Sequence, residues 1–442
     1  MSSKQTAQTT QTPAGASRTY DRVKQTVYRH TLDNGLTVVY LPKPDFSYTF
    51  AMLAVNFGAV DARFTPEGGG AVQLPAGVAH FLEHKMFEDE DGNALQKFAA
   101  TGASPNAFTS HNMTAYHFSC TDRFEENLTL LLRFVFTPYF TEDNVQKEKG
   151  IIAQEIGMMD DQPFWQAFNG LHQALYHTHP LRESIAGSVD SIAAITPSLL
   201  DTCYQAFYHP ANMALVVCGQ ADFDQIVALA EQHSPQSPAI AVHRDYGTRQ
   251  ETVCQAAWTC RMAVSRPHFL VGFKDIPVQD GEDFVRRQLL GELCCRILAG
   301  EGAPLYAALY RDRLINRQFE AAYSQHPQAA YAHFTGTGPD PQAVHDQLVQ
   351  AVRTLAGQGV DPDRFERARR AAYGATLRTL DQPGELCRAQ CEALFGGGDL
   401  LDFPAAYDAF TPADAQAMFA RWAAPGRAAL AAVYPADGEG KG

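Results

Sequence analysis

The sequence predicts an α+β protein built of two homologous mixed α/β halves, each an antiparallel-rich sheet packed with helices. Three observations carry that prediction. Asp33-Asn34-Gly35, set between alternating residues over 27–42, is a strong hairpin signal. Strand-like and helix-like periods then alternate through two stretches of similar make-up. The end of the first stretch, Tyr208-His-Pro-Ala-Asn-Met-Ala-Leu-Val-Val, is echoed by Trp422-Ala-Ala-Pro-Gly-Arg-Ala-Ala-Leu-Ala-Ala-Val, with the same five-residue step from Pro210 to Leu215 and from Pro425 to Leu430.

In chain order, residues 1–22 read as a disordered polar tail and 23–233 as an N-terminal domain. After the hairpin, a strand is expected over Thr49 to Phe57, the glycines Gly68 to Gly70 break the pattern, and a helix begins near Pro75, where proline suits the first turn. Asn93 caps a helix that ends at Gly102, Pro105 opens two strands through Cys120, and apolar-periodic helices follow over Arg123 to Phe136 and Glu142 to Met159. Ser234-Pro-Gln-Ser-Pro-Ala has the composition of a connector, so a linker is placed at 234–248. The C-terminal domain, 249–436, repeats the ingredients: a strand at His268 to Phe273, a helix over Phe284 to Leu298, strands around Phe319 to Thr335, and helices from Gln342 and Pro362. Residues 437–442 read as a flexible tail.

Composition narrows the function classes. The 442 residues carry 35 Lys plus Arg against 49 Asp plus Glu, a formal charge of −14, which disfavours nucleic acid and anionic lipid as partners. No apolar run approaches the roughly 18 to 20 residues that span a bilayer, so no membrane insertion is expected. The first twenty residues lack a secretory apolar segment, and the nine cysteines include no CxxC pair, which points to a reducing cytoplasm. Cys387 and Cys391 share a helix face but read as buried thiols. No phosphate-cradling GxxxxGK[ST] loop and no dinucleotide GxGxxG appears.

Within the Pro75 helix stands His80-Phe81-Leu82-Glu83-His84. Histidines four apart share a helix face and converge on one ion, and a glutamate three residues after the first lies on that same side. Such a metal keeps a position for water, whose proton the carboxylate takes. A third ligand is sought on the Glu142 to Met159 helix, where Glu148 and Glu155 stand seven apart on nearly one face. The apolar Gly150-Ile151-Ile152-Ala153 between them seats this helix in the core, so its carboxylates need a cation or metal. His111, His117, His177, His179 and His209 have no second convergent ligand at helical spacing and read as structural.

His80-Phe-Leu-Glu83-His84 followed by Glu148-Lys-Gly-Ile-Ile-Ala-Gln-Glu155 resembles the inverted zinc motif of the pitrilysin and mitochondrial processing peptidase family. Gly102-Ala-Ser-Pro-Asn106-Ala107-Phe-Thr-Ser, Thr114-Ala-Tyr116, His179-Pro-Leu, Ile185-Ala-Gly187 and Tyr208-His-Pro-Ala-Asn212-Met resemble its further landmarks. The resemblance implies a zinc-dependent metalloendopeptidase that hydrolyses peptides or unfolded segments, with His80, His84 and Glu155 on zinc and Glu83 as the general base acting on zinc-bound water. It implies that Glu148 steadies a ligand and that Asn106 and Ala107 bind substrate backbone, the peptide docking as an added edge strand. Two such halves would form one half of a closed peptidase chamber. The nearest likeness is to bacterial members encoded as pairs, including those associated with elongation factor P modification. The alternative is a noncatalytic member serving as a structural or peptide-binding subunit of a heterodimer.

One stretch departs from the pattern. Active members draw on an Arg and a Tyr in the second half, but Leu309-Tyr310-Arg311-Asp312-Arg313-Leu314-Ile315-Asn316-Arg317-Gln318-Phe319 puts Tyr310 and Phe319 at those places. A guanidinium's forked donors and a phenol's hydroxyl are both missing there, and Arg311 or Arg313, shifted along a helix, points elsewhere. The expected partner is a homologous chain that supplies the Arg and Tyr.

Overall fold

A computed structural model describes residues 9–12, 15–90, 92–236, 240–278 and 283–436. Two sheets organise it. In the first, the strand order is Thr9–Thr12, Gly15–Tyr20, Gln25–Thr31, Thr37–Pro42, Met213–Gly219, Thr49–Val55, Thr114–Cys120 and, at the far edge, Ser104–Thr109. In the second the order is Ala257–Met262, Ala428–Pro435, His268–Asp275, Ala329–Thr337 and Glu320–His326. The two halves share a plan: in each, one parallel pair, Thr37–Pro42 with Met213–Gly219 and Ala257–Met262 with Ala428–Pro435, is followed by antiparallel neighbours out to the edge.

The central strands are apolar on both faces, as Met213–Gly219 and Thr49–Val55 show by being buried at every residue. A strand read that way requires helices on both sides. The covering helices come from distant sequence. Pro383–Phe395 packs on Met213–Gly219 and Thr49–Val55, and Pro163–Leu175 packs on Ala428–Pro435, His268–Asp275 and Ala257–Met262. The chain accordingly forms two compact units, one of 1–153, 185–245 and 377–401, the other of 154–184, 246–376 and 402–442.

The hairpin at Asn34 forms as expected: the Asn34 side chain accepts from the Leu36 N–H at 3.1 Å and donates to Ser234 Oγ at 2.7 Å. Two stretches differ from expectation. Gly15–Tyr20, placed by composition in a disordered tail, is a strand paired antiparallel with Gln25–Thr31, and Arg18 lies 4.4 Å from the centre of the Tyr20 ring. The 234–248 stretch, expected as linker, contains Val242–Arg244, which pairs with Arg63–Pro66. Residues 1–8, 13–14, 237–239 and 437–442, parts of the expected tails and linker, lie outside the described residues.

The helix that carries the histidines, Val78–Met86, starts where backbone meets backbone. Gly77 stands at φ 93°, and a Cβ there would come within 2.5 Å of the Ala186 carbonyl oxygen. Reciprocally, a Cβ on Gly187, at φ 75°, would meet the Ala76 carbonyl oxygen at 2.4 Å. Ser191 Oγ completes the clasp by donating to that same oxygen at 2.8 Å. Gly77→Ala is expected to cost about 1–3 kcal/mol of stability in denaturant unfolding. Unchanged stability would show that the clasp does not set the helix start.

Burial pulls His117 and His333 from 6.5 down to about 4, so both are neutral in the folded chain at neutral pH. The unfolded chain then binds more protons between about pH 6.5 and 4, and folding stability falls as pH falls through that window. The thermal midpoint of metal-free protein should drop steadily over this range, and His333→Gln should make the drop shallower.

Candidate metal and catalytic site

A nine-residue helix with His80, Glu83 and His84 sits in the core because Val78, Ala79, Phe81, Leu82 and Met86 are all buried. His80 and Glu83 are buried with them, and His84 remains partly open. The two imidazoles meet edge to face, ring centres 4.6 Å apart. Helix Glu142–Asp160 brings Glu155 to the pair, so that ligand atoms of His80, His84 and Glu155 all lie within 4.8 Å of one another. Among the described residues this is the group of three such side chains that converges closely enough to hold a metal ion.

The remaining polar groups orient the site. Glu148 is buried and its Oε1 bonds His84 Nδ1 at 3.0 Å. An imidazole that donates through Nδ1 to a carboxylate keeps Nε2 as a bare lone pair, the form a metal ligand requires. Burial alone would raise the Glu148 pKa, but the hydrogen bond from His84 and the charges of His84 and Lys85 outweigh it and hold it below the ordinary carboxylate value. His80 is pulled down to about 4, first by burial and then by its neighbour His84, and so stands neutral at neutral pH. Two imidazoles and one carboxylate within this span fit a zinc-class ion and leave room for a water.

Glu83 is separate in role from these donors. Its Oε2 accepts a hydrogen bond from Thr109 Oγ1 at 2.7 Å. Thr109 ends the edge strand Ser104–Thr109, and its hydroxyl lies 3.4 Å from that of Thr114, which donates to the Phe57 carbonyl at 3.0 Å. Asn106 and Ala107 stand on this same strand, paired with His117 and Tyr116, and Asn106 Oδ1 accepts from the Ala107 N–H at 2.9 Å.

Sequence reasoning did not single out Thr109 or Lys85. Strand alternation was the available signal for Thr109, which shares the face of Ala107 two residues on. For Lys85 it was a cation followed directly by the apolar pair Met86 and Phe87 on a helix that also carries Phe81 and Leu82. Of the other histidines, His179 and His209 accept through Nδ1 from the N–H groups of Leu181 and Ala211, capping short turns that begin with proline. In the departing stretch, Phe319 is buried, Tyr310 is exposed and stacks on Tyr306, and Arg311 pairs with Asp312.

Known proteins resemble this chain along nearly its whole length. The insulinase family (peptidase family M16) matches residues 73–189, and the peptidase M16 inactive domain matches residues 194–372. The chain is 36% identical over 424 residues to the uncharacterized zinc protease YmfH of Bacillus subtilis, spanning 94% of this chain and 98% of that protein. Among solved structures, an M16-like peptidase from Alicyclobacillus acidocaldarius superposes with a TM-score of 0.89 at 34% identity, covering 93% of this chain and 99% of that one. The periplasmic protease PqqL of Escherichia coli shares the fold, with a TM-score of 0.70 at 17% identity over 98% of this chain and 48% of that chain. The chain belongs to peptidase family M16, the insulinase family, of which pitrilysin-like zinc peptidases are part.

Proposed function

We propose that this chain is a zinc metalloendopeptidase acting on peptides or unfolded segments. The observation that carries the reading is the convergence of His80, His84 and Glu155 within 4.8 Å beside a buried glutamate, Glu83, on the same helix. Zinc, when bound, supplies a Lewis acid that lowers the pKa of water and polarises a peptide carbonyl. His80, His84 and Glu155 hold it, and Glu148 fixes the His84 ring. Glu83 takes the proton of the attacking water and returns it to the leaving amine, with Thr109 holding its carboxylate in place. The edge strand Ser104–Thr109 receives the peptide as a further strand, and Asn106 releases the Ala107 N–H to it.

The reading includes a partner. The buried Phe319 and the exposed Tyr310 leave this chain without the arginine and tyrosine expected of a self-sufficient enzyme, and its fold matches 48% of the length of PqqL. A homologous chain supplies the pair, and the isolated chain turns over weakly. The described cysteines are all free, which supports work in the reducing cytoplasm. No described helix is long and apolar enough to cross a membrane.

Glu83→Gln is expected to retain zinc while losing about 10²–10⁴-fold in peptide turnover. His80→Ala, His84→Ala and Glu155→Ala should lose zinc as well, measured by elemental analysis after chelator-free purification. Zinc kept by Glu155→Ala but lost by Glu148→Ala would exchange the roles of the two carboxylates. Turnover is then compared for the chain alone and with homologues encoded beside it. Full activity alone, unchanged on addition, would remove the partner, and a zinc-loaded pair without cleavage of any peptide would favour the noncatalytic alternative.

A further inference from the structure

Lys85 follows His84 on the site helix and is 0% exposed. Lysine is almost never found so deep unless it is paired. Its Nζ lies 2.5 Å from Glu88 Oε2 and 3.7 Å from Glu148 Oε2. Glu148 therefore faces the ammonium with one oxygen and, with the other, the Nδ1 of His84 at 3.0 Å. Four side chains form one line, His84, Glu148, Lys85 and Glu88, of which the middle two are buried and the outer two partly open. The last is held by the strand Glu88–Asp89, which pairs with Gly92–Asn93.

Two carboxylates share this ammonium. The position after the second histidine is also the place where a helix residue flanks His84 without reaching the ion itself. A carboxylate withdrawn from water carries a large desolvation cost unless it is both paired and hydrogen-bonded, and Glu148 meets both conditions only while Lys85 is present. Its orientation is set by two different partners on its two oxygens, so removing one frees the carboxylate to rotate off the imidazole.

We propose that Lys85 is a positioning residue for the metal site, the buried countercharge that holds Glu148 against His84 Nδ1 and so presents His84 Nε2 to the ion. The proposal rests on the zinc reading above but not on hydrolysis, and it is read in metal affinity. Lys85 touches neither the ion nor the peptide. Its effect on binding passes entirely through Glu148.

The test measures zinc affinity of the full chain by competition with a chromophoric chelator, with circular dichroism for the fold and nitrogen NMR for the His84 tautomer. Lys85→Met is expected to stay folded, to weaken zinc binding about 10–100-fold and to mix the His84 tautomers in the metal-free protein. Lys85→Arg should recover most of the affinity. Lys85→Met combined with Glu148→Gln should bind no more weakly than Glu148→Gln alone, because both act through one carboxylate. Glu88→Gln leaves the ammonium to Glu148, and should bind zinc as the parent does while unfolding at lower temperature. Parent-like affinity in folded Lys85→Met, or additive losses in the double variant, would overturn the assignment. Should Lys85→Met not fold, Glu88→Gln decides: loss of zinc as great as in Glu148→Gln would overturn it. A parent chain that takes up no zinc would overturn the metal reading itself, and this proposal with it.

Discussion

A carboxylate held out of water between an imidazole and an ammonium is the constraint on which the site depends. Glu148 is buried, and its two oxygens face His84 and Lys85. Nothing in the local sequence of Glu142–Asp160 requires a charge to be buried; its partners on Val78–Met86 permit it. Once Glu148 is fixed there, the rest of its helix is fixed too. Glu155, seven residues on, falls about two turns along nearly the same face and arrives at the histidines. Third ligand and orienting carboxylate are thus one geometric decision, made when two helices meet. The Gly77 and Gly187 clasp serves it by setting where the histidine helix begins, since a shift of one residue would rotate both imidazoles by about 100°.

A second coupling joins Glu83 to the edge strand Ser104–Thr109. Thr109 belongs to the edge strand, yet its hydroxyl bonds the carboxylate of Glu83 on the helix. Strand alternation places Thr109 and Ala107 on one face, so a peptide added beside Ala107 would lie on the strand whose end holds the base. Thr109 is held in turn through Thr114 to the backbone at Phe57. Under the proposed function the base would thereby be referenced to the sheet that receives the peptide, an arrangement that would keep proton acceptor and scissile bond in register.

Much of this was legible in the sequence because it is local. The hairpin at Asn34, the start and stop of Ala94–Thr101 at Asn93 and Gly102, and the convergence of His80 with His84 all follow from caps, turns and a 3.6-residue period. What was not legible is what distant partners decide. Gly15–Tyr20 becomes a strand because Gln25–Thr31 offers it an edge, although its own residues read as a polar tail. Pro163–Leu175 and Pro383–Phe395 each cover a sheet formed mainly by the opposite part of the sequence, and no period within either helix names the sheet it will cover. Lys85 and Thr109 were not legible for the same reason: a lysine in a short helix and a threonine at a strand end acquire meaning only beside Glu148 and Glu83.

The departure at Leu309 to Phe319 has the same logic in reverse. Phe319 lies in the core among Phe269, Tyr306 and Phe334, with ring centres 6.2–6.5 Å away. A phenol hydroxyl at that place would need a buried partner of its own, which a phenylalanine does not. In this chain the position therefore serves packing. Tyr310, where an arginine is expected, instead stacks on Tyr306 and stays exposed, and Arg311 is neutralised on the surface by Asp312. The first half of the chain carries His80, Glu83, His84 and Glu155, while the second half packs Phe319 into its own core. Under the proposed function that contrast calls for a working enzyme assembled from more than one such chain.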